Sequence, residues 1–292
     1  MNSNVSGYLF LMPWVIGFLL FYAVPMLNLL YYSFTDFNLL NDPVFIGLDN
    51  YKRMFFDDPK VWQSLKVTTL YVVLSVIPRL VVALLIAVLL NKKHRGVGFY
   101  RTVYYIPSIL GGSVAVAVLW RMIFSGDGVI NSLLGLIGIT TDISYIGNPD
   151  TAMMTLVLLA IWQFGSSMLI FLAGLKNIPD TYYEAAAIDG AGSFARFVHI
   201  TLPLLSPIIL FNLIMQIING FMVFTQGYII TKGGPLNRTL FWVLYMYKRG
   251  FESYDMGFAS AMAWVMLIMV AVLTAIVFRT SGKWVFYQSE EA

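Results

Sequence analysis

Long apolar runs separated by short polar stretches dominate this chain. Six of them reach the length that crosses a hydrocarbon core, at about 7–34, 65–90, 103–124, 153–175, 204–229 and 258–280. The runs are continuous rather than alternating, which predicts helices and excludes a β-barrel. Pro13, Pro25, Pro78, Pro107 and Pro207 fall inside them. Spanning helices tolerate proline where neighbours re-satisfy the freed backbone groups. The first run starts near Gly7 with neither a basic leader nor a small-residue cleavage site, and reads as a retained span. The expected fold class is therefore all-α, a polytopic membrane protein of about six transmembrane helices.

Composition agrees with that pattern. At 59% apolar and 11% charged, 292 residues hold more apolar surface than a soluble domain can hide. A net charge of +3 spread along the chain gives no support for nucleic acid binding. With no cysteine, disulfides and thiolate metal sites are excluded. Loop 91–102 carries Lys92, Lys93, Arg95 and Arg101 without an acid, whereas 125–152 carries Asp127, Asp142 and Asp150 without a base. Basic loops stay cytoplasmic, so the first faces the cytoplasm and the second the outside. Six spans then put both termini and the 176–203 loop in the cytoplasm. Lys52, Arg53, Lys60, Lys232, Arg238, Lys248 and Arg249 on the outer loops work against this bias, so the orientation rests mainly on 91–102.

Residues 184–203, EAAAIDGAGSFARFVHITLP, interrupt two apolar runs with turn and cap chemistry. Thr181 and Glu184 have the spacing of a capping box, which predicts a short helix beginning just after Pro179. Asp189-Gly190-Ala191-Gly192 is a turn, and Ser193 is positioned to cap a second short helix ending near Thr201. Two short helices on a glycine turn are too polar to cross a bilayer and well shaped to dock at its surface.

Glu184-Ala185-Ala186, Gly190, Ile200 and Leu202-Pro203 resemble, in type and spacing, the EAA loop of binding-protein-dependent ABC importer permeases. The resemblance extends through Ser33-Phe34-Thr35, Gly47-Leu48-Asp49-Asn50-Tyr51, Arg101-Thr102 with Pro107, Trp120, Gly233-Gly234-Pro235 and Gly257-Phe258-Ala259-Ser260-Ala261-Met262. It is nearest to the maltose-transporter first-permease-like, sugar-type members, in a compact version without their large outer domain. It implies a single permease domain over 1–292 with the type I ABC importer permease fold, in the bacterial cytoplasmic membrane. It also implies a second homologous permease, two cytoplasmic ATPase subunits, an extracytoplasmic solute-binding protein, and a sugar or oligosaccharide as substrate. ATP and magnesium would be held by the partner subunits, leaving this chain no cofactor and no catalytic site. Glu184, Ala185, Ala186, Asp189, Gly190, Ala191 and Gly192 would be the residues that couple to the ATPase.

Polar residues inside spans are the remaining signal, because hydrocarbon cannot solvate them. Asn212, Gln216 and Asn219 share one helical face, with Gly220 beside them and Gln226 two turns on. They read either as hydrogen-bonding glue between helices or as the wall of a wet cavity for sugar hydroxyls. Trp162, Gln163 and Ser166 in the fourth span offer a matching surface, a ring face for a pyranose beside an amide and a hydroxyl. By position relative to the loop, these residues resemble the places where the maltose-type permease contacts its sugar, although most side chains differ. Arg79, about 16 Å from the cytoplasmic end of its helix, must face protein or water. It serves either a structural pairing or an anionic substrate.

Phe45, Tyr51, Phe55, Phe56 and Trp62 in the first outer loop predict an amphipathic segment at the membrane surface. His94 and His199 have no metal-site spacing, and no phosphate loop or nucleophile–base pair occurs. The alternative function, an ion-coupled secondary transporter, needs an intramembrane carboxylate or a cation site. No Asp or Glu lies within the six runs. A membrane scaffold that transports nothing leaves the amide stripe without a purpose.

Overall fold

The computed structural model describes residues 3–92 and 95–286. Lys93 and His94 of the basic loop, and the tail Ser289-Glu290-Glu291-Ala292, lie outside the described residues. Helices α1 (Ser3–Phe18) and α2 (Val24–Tyr32) run together through one wider turn, Leu19–Ala23. A short hairpin follows, β1 (Thr35–Asp36) antiparallel to β2 (Val44–Phe45), with Thr35 opposite Phe45. Next come α3 (Asp49–Lys52), α4 (Pro59–Asn91), α5 (Val97–Leu110), α6 (Val114–Ile123) and α7 (Val129–Leu136). Then follow α8 (Ala152–Trp162), α9 (Gly165–Lys176), α10 (Asp180–Ile188), α11 (Ser193–Arg196), α12 (Leu202–Phe221), α13 (Trp242–Tyr247) and α14 (Met256–Ser281).

Five stretches among the described residues are helical, long and apolar enough to cross a membrane: Phe10–Tyr32, Pro59–Asn91, Ala152–Lys176, Ser193–Phe221 and Met256–Ser281. In hydrocarbon a helix satisfies its backbone internally, which is why the apolar runs take this form. The third expected span differs. It is two helices, α5 and α6, bent by 97°. Gly111 and Gly112 weaken the helix there, and Ser113 restarts it by accepting a hydrogen bond from Val116 N at 3.3 Å.

The chain forms two compact units, 1–62 with 245–269, and 63–244 with 270–292. In the first unit, three sequence-distant motifs meet. Buried Asn50 donates to Ser33 O (3.1 Å) and Thr35 O (2.9 Å), and the Tyr51 and Ser33 hydroxyls are 2.8 Å apart. Gly257 N donates to Phe37 O, and its α-carbon lies so close to Thr35 O that any side chain would collide with that carbonyl. Arg53 and Arg249 both pair with Asp255, and their guanidinium carbons sit 4.2 and 4.8 Å from the ring centre of buried Phe258. Tyr245 donates to Asp58. Its burial, and then that bond, push the hydroxyl above the usual phenol range. Of the aromatics expected at the membrane surface, Phe45, Phe55, Phe56 and Trp62 are exposed, whereas Tyr51 is turned toward Ser33.

In the second unit, α9 packs against both α5 and α12. Gly174 admits Leu205 and Ile208 of α12 to its backbone, a small-residue contact typical of membrane helices. Phe171, Leu159, Met168 and Leu205 are fully enclosed there.

Asn50→Ala removes two donors from buried carbonyls, and each orphaned group costs about 1–3 kcal/mol. We expect the thermal midpoint of the purified protein to fall, and Asn50→Asp, which keeps the size but loses both donors, to fall at least as far. An unchanged midpoint in both variants would show that these bonds do not hold the first unit together.

Candidate functional site

The second unit contains a second broken helix. The fourth span divides at Gln163–Phe164, between α8 and α9. Every break frees backbone groups that water cannot reach at membrane depth, so side chains must satisfy them. Gln163 O accepts from Arg79 Nη2 (2.5 Å) and Ser108 Oγ (2.8 Å), and Ser108 Oγ in turn accepts from Ser166 N (2.9 Å). At the α5–α6 break, Gly111 O accepts from Gln163 Nε2 (3.1 Å) and Gln226 Nε2 (3.4 Å). The two breaks therefore serve each other. Small residues make the approach possible: a side chain on Gly111 would collide with Gln163, and a Cβ on Gly165 would lie 2.7 Å from Tyr105 Cα.

Where helices break they cannot close-pack, and a polar cavity of about 380 Å³ opens at this point. That is within the range of about 300–1,000 Å³ that small-molecule sites occupy. Arg79, Gln163, Ser166, Gln216, Asn219 and Gly220 line it, as does Gln226. Two expected residues are not in the lining. Asn212 is fully buried; its Nδ2 donates to Ile208 O (3.3 Å) and its Oδ1 has no partner. Trp162, at the end of α8, is 38% exposed and packs its ring on Trp120 at 5.8 Å. The amide stripe thus has more than one role. Gln216 joins helices through Ser167 Oγ (3.0 Å) while also lining the cavity, and exposed Asn219 lines it too.

Tyr71, Ser75, Ser108 and Thr225 complete the wall. Tyr71 and Ser75 lie eight and four residues before Arg79, one helical face whose spacing was available in the sequence. Ser108 had no such signal, because its position depends on how α5 packs against α9. Among the described residues no cluster of His, Cys, Asp or Glu has the make-up of a metal site.

A second candidate surface lies on α10 and the turn after it. The helix does start after Pro179, as the spacing predicts, but Pro179 itself is the cap residue and no side chain caps it. Thr181 already belongs to the helix, so the capping box does not form. Gly190 adopts φ +78° with open space around it, the conformation that the turn requires of glycine. The expected second short helix also differs. Gly192, not Ser193, holds the cap position, and α11 continues through Phe197–Thr201 into the fifth span without a break. Glu184, Ala185, Asp189, Gly190 and Gly192 are exposed, Ala186 and Ala191 half-buried. Beside them Ile188 and Phe194 are 87% and 80% exposed. The Tyr183 and Thr201 hydroxyls, 3.0 Å apart, tie α10 to the base of the fifth span.

Residues 58–281 match the model of the family described as binding-protein-dependent transport system inner membrane component. The chain is 57% identical to the probable ABC transporter permease protein YesP of Bacillus subtilis, covering 99% of this chain and 94% of that one. It is 34% identical to the arabinooligosaccharides transport system permease protein AraP of the same organism, over 97% and 90% of the two chains. Among solved structures, a chain of the bacterial alginate ABC transporter, in complex with its alginate pentasaccharide-bound periplasmic protein, superposes with a TM-score of 0.83. It is 22% identical and covers 96% of this chain and 95% of that one.

Gly165→Ala places a methyl group against the α5 backbone. Overpacking of this kind costs about 1–3 kcal/mol. We expect a lower thermal midpoint, because α5 and α9 meet at this contact. A variant as stable as the parent would show that α5 and α9 do not need it.

Proposed function

This chain belongs to the binding-protein-dependent transport system inner membrane components, and on that premise we propose that it is the sugar- or oligosaccharide-translocating permease subunit of an ATP-driven importer. One observation carries the reading: a cavity of amides, hydroxyls and a single guanidinium inside otherwise apolar helices. Amides pair donors and acceptors with sugar hydroxyls. A lone guanidinium at membrane depth is expensive unless it has a task. The identity with an arabinooligosaccharide permease supports the substrate class.

Arg79 extends the reading to acidic oligosaccharides. Arg79 lines the cavity, and Gln163 O takes one of its five N–H donors. The guanidinium thus keeps donors for a carboxylate. The alginate transporter, which shares this fold, is described as importing an acidic polysaccharide.

The working assembly comprises this chain, a second homologous permease, two cytoplasmic ATPase subunits and an extracytoplasmic solute-binding protein. Both termini and α10 face the cytoplasm of a bacterial cell, as the basic loop 91–102 favours. The chain catalyses nothing itself; ATP and magnesium belong to the ATPases. Exposed Ile188 and Phe194 flank the small residues Ala185 to Ala187 and Gly190, a blunt surface suited to a cleft. Closure of the ATPases would pull α10, and through Tyr183 and Thr201 the fifth span, whose Gln216 and Asn219 line the cavity.

Transport by the reconstituted assembly tests each part. Arg79→Gln should lower uptake of uronate oligosaccharides by about tenfold, a loss of about 1.4 kcal/mol, and Arg79→Lys should restore part of it. Equal losses for neutral and acidic sugars would remove the acidic reading and leave the sugar reading in place. Gly190→Leu forces a branched side chain to positive φ; we expect normal insertion, persistent ATP hydrolysis and lost uptake. Normal uptake by this variant would overturn the role of α10.

A further inference from the structure

Where α4 ends and α5 begins, the second unit has a hollow of about 750 Å³ whose described wall holds Lys92, Arg95, Arg101 and Lys176 and, among the described residues, one acid, Asp180. An apolar groove of about 450 Å³ shares Arg95 and Val97 with it and continues along Ile86, Leu89, Leu90 and Tyr104. Leu89 and Tyr100 on this groove are 59% and 50% exposed. Arg101 Nη2 closes the turn on Leu90 O at 3.0 Å, and its Nε is buried without a partner.

We propose that this composite site binds an anionic phospholipid, the phosphate headgroup in the basic hollow and an acyl chain in the groove. Four cations against one carboxylate select an anion, and basic recesses between membrane helices suit such headgroups. The groove decides between sources of phosphate. A soluble phosphate would use the hollow and gain nothing from an apolar channel along α4 and α5. A lipid fills both.

The hollow's wall also includes Ile178 and Asp180, so the site adjoins the start of α10. The site rests on the membrane reading of the chain and is independent of which solute the cavity carries.

Lys92 and Arg95 are exposed, so reversing their charges leaves the packed helices untouched. The full chain, in its assembly, is purified from membranes containing phosphatidylglycerol, and retained lipid is identified by native mass spectrometry. We expect phosphatidylglycerol to be retained over phosphatidylcholine. The Lys92→Glu/Arg95→Glu variant should retain about tenfold less, with an unchanged thermal midpoint. Val97→Trp, which obstructs the groove without altering charge, should also release it. Equal retention of the two lipids, or full retention by the charge-reversed variant, would overturn the proposal. Displacement of the lipid by inorganic phosphate at equal concentration would assign the hollow to a soluble anion instead, and would also overturn it.

Discussion

Two backbone breaks at membrane depth govern the second unit. Hydrocarbon offers no hydrogen bonds, so a helix that stops inside it must have its exposed carbonyls met by side chains. Here the donors come from neighbouring elements: Arg79 and Ser108 serve Gln163 O, while Gln163 and Gln226 serve Gly111 O. Each polar side chain that would be a liability alone becomes part of a closed set. Arg79 illustrates this, since its expense in the span is offset by a carbonyl that would otherwise be orphaned.

The same breaks account for the cavity. Straight helices pack their side chains to close contact, but a bend of 97° between α5 and α6 leaves space that polar groups line. Structural and cavity-lining roles therefore overlap in single residues. Gln163 braces Gly111 and faces the cavity; Gln216 holds Ser167 and faces it too. Choosing between glue and cavity wall is thus a false choice for these amides, although Asn212, sealed from the cavity, is closer to glue.

The first unit solves a different problem with the same economy. Its loops, hairpin and helix ends are held by a buried amide, Asn50, and by two guanidinium groups that share one carboxylate above one aromatic ring. This explains why motifs as distant as 33–35, 47–51 and 257–262 carry the family resemblance: they contact one another.

Much of this was legible in the chain itself. Runs of apolar residues determined the helices, because backbone groups in lipid have no alternative partner. The lone Gly190 turn determined where α10 ends, because only glycine takes positive φ freely. The spacing of Gln216 and Asn219 determined that they share a face. The tertiary structure decided the rest. A run of apolar residues gives no direction, so the bend at Gly111–Ser113 was invisible, as was the packing of α5 on α9 that brings Ser108 to the cavity. Helical spacing grouped Asn212 with Gln216, but which side of α12 is sealed depends on its neighbours. Trp162 lost its expected place for the same reason, drawn to Trp120 by a contact between elements that no local pattern encodes.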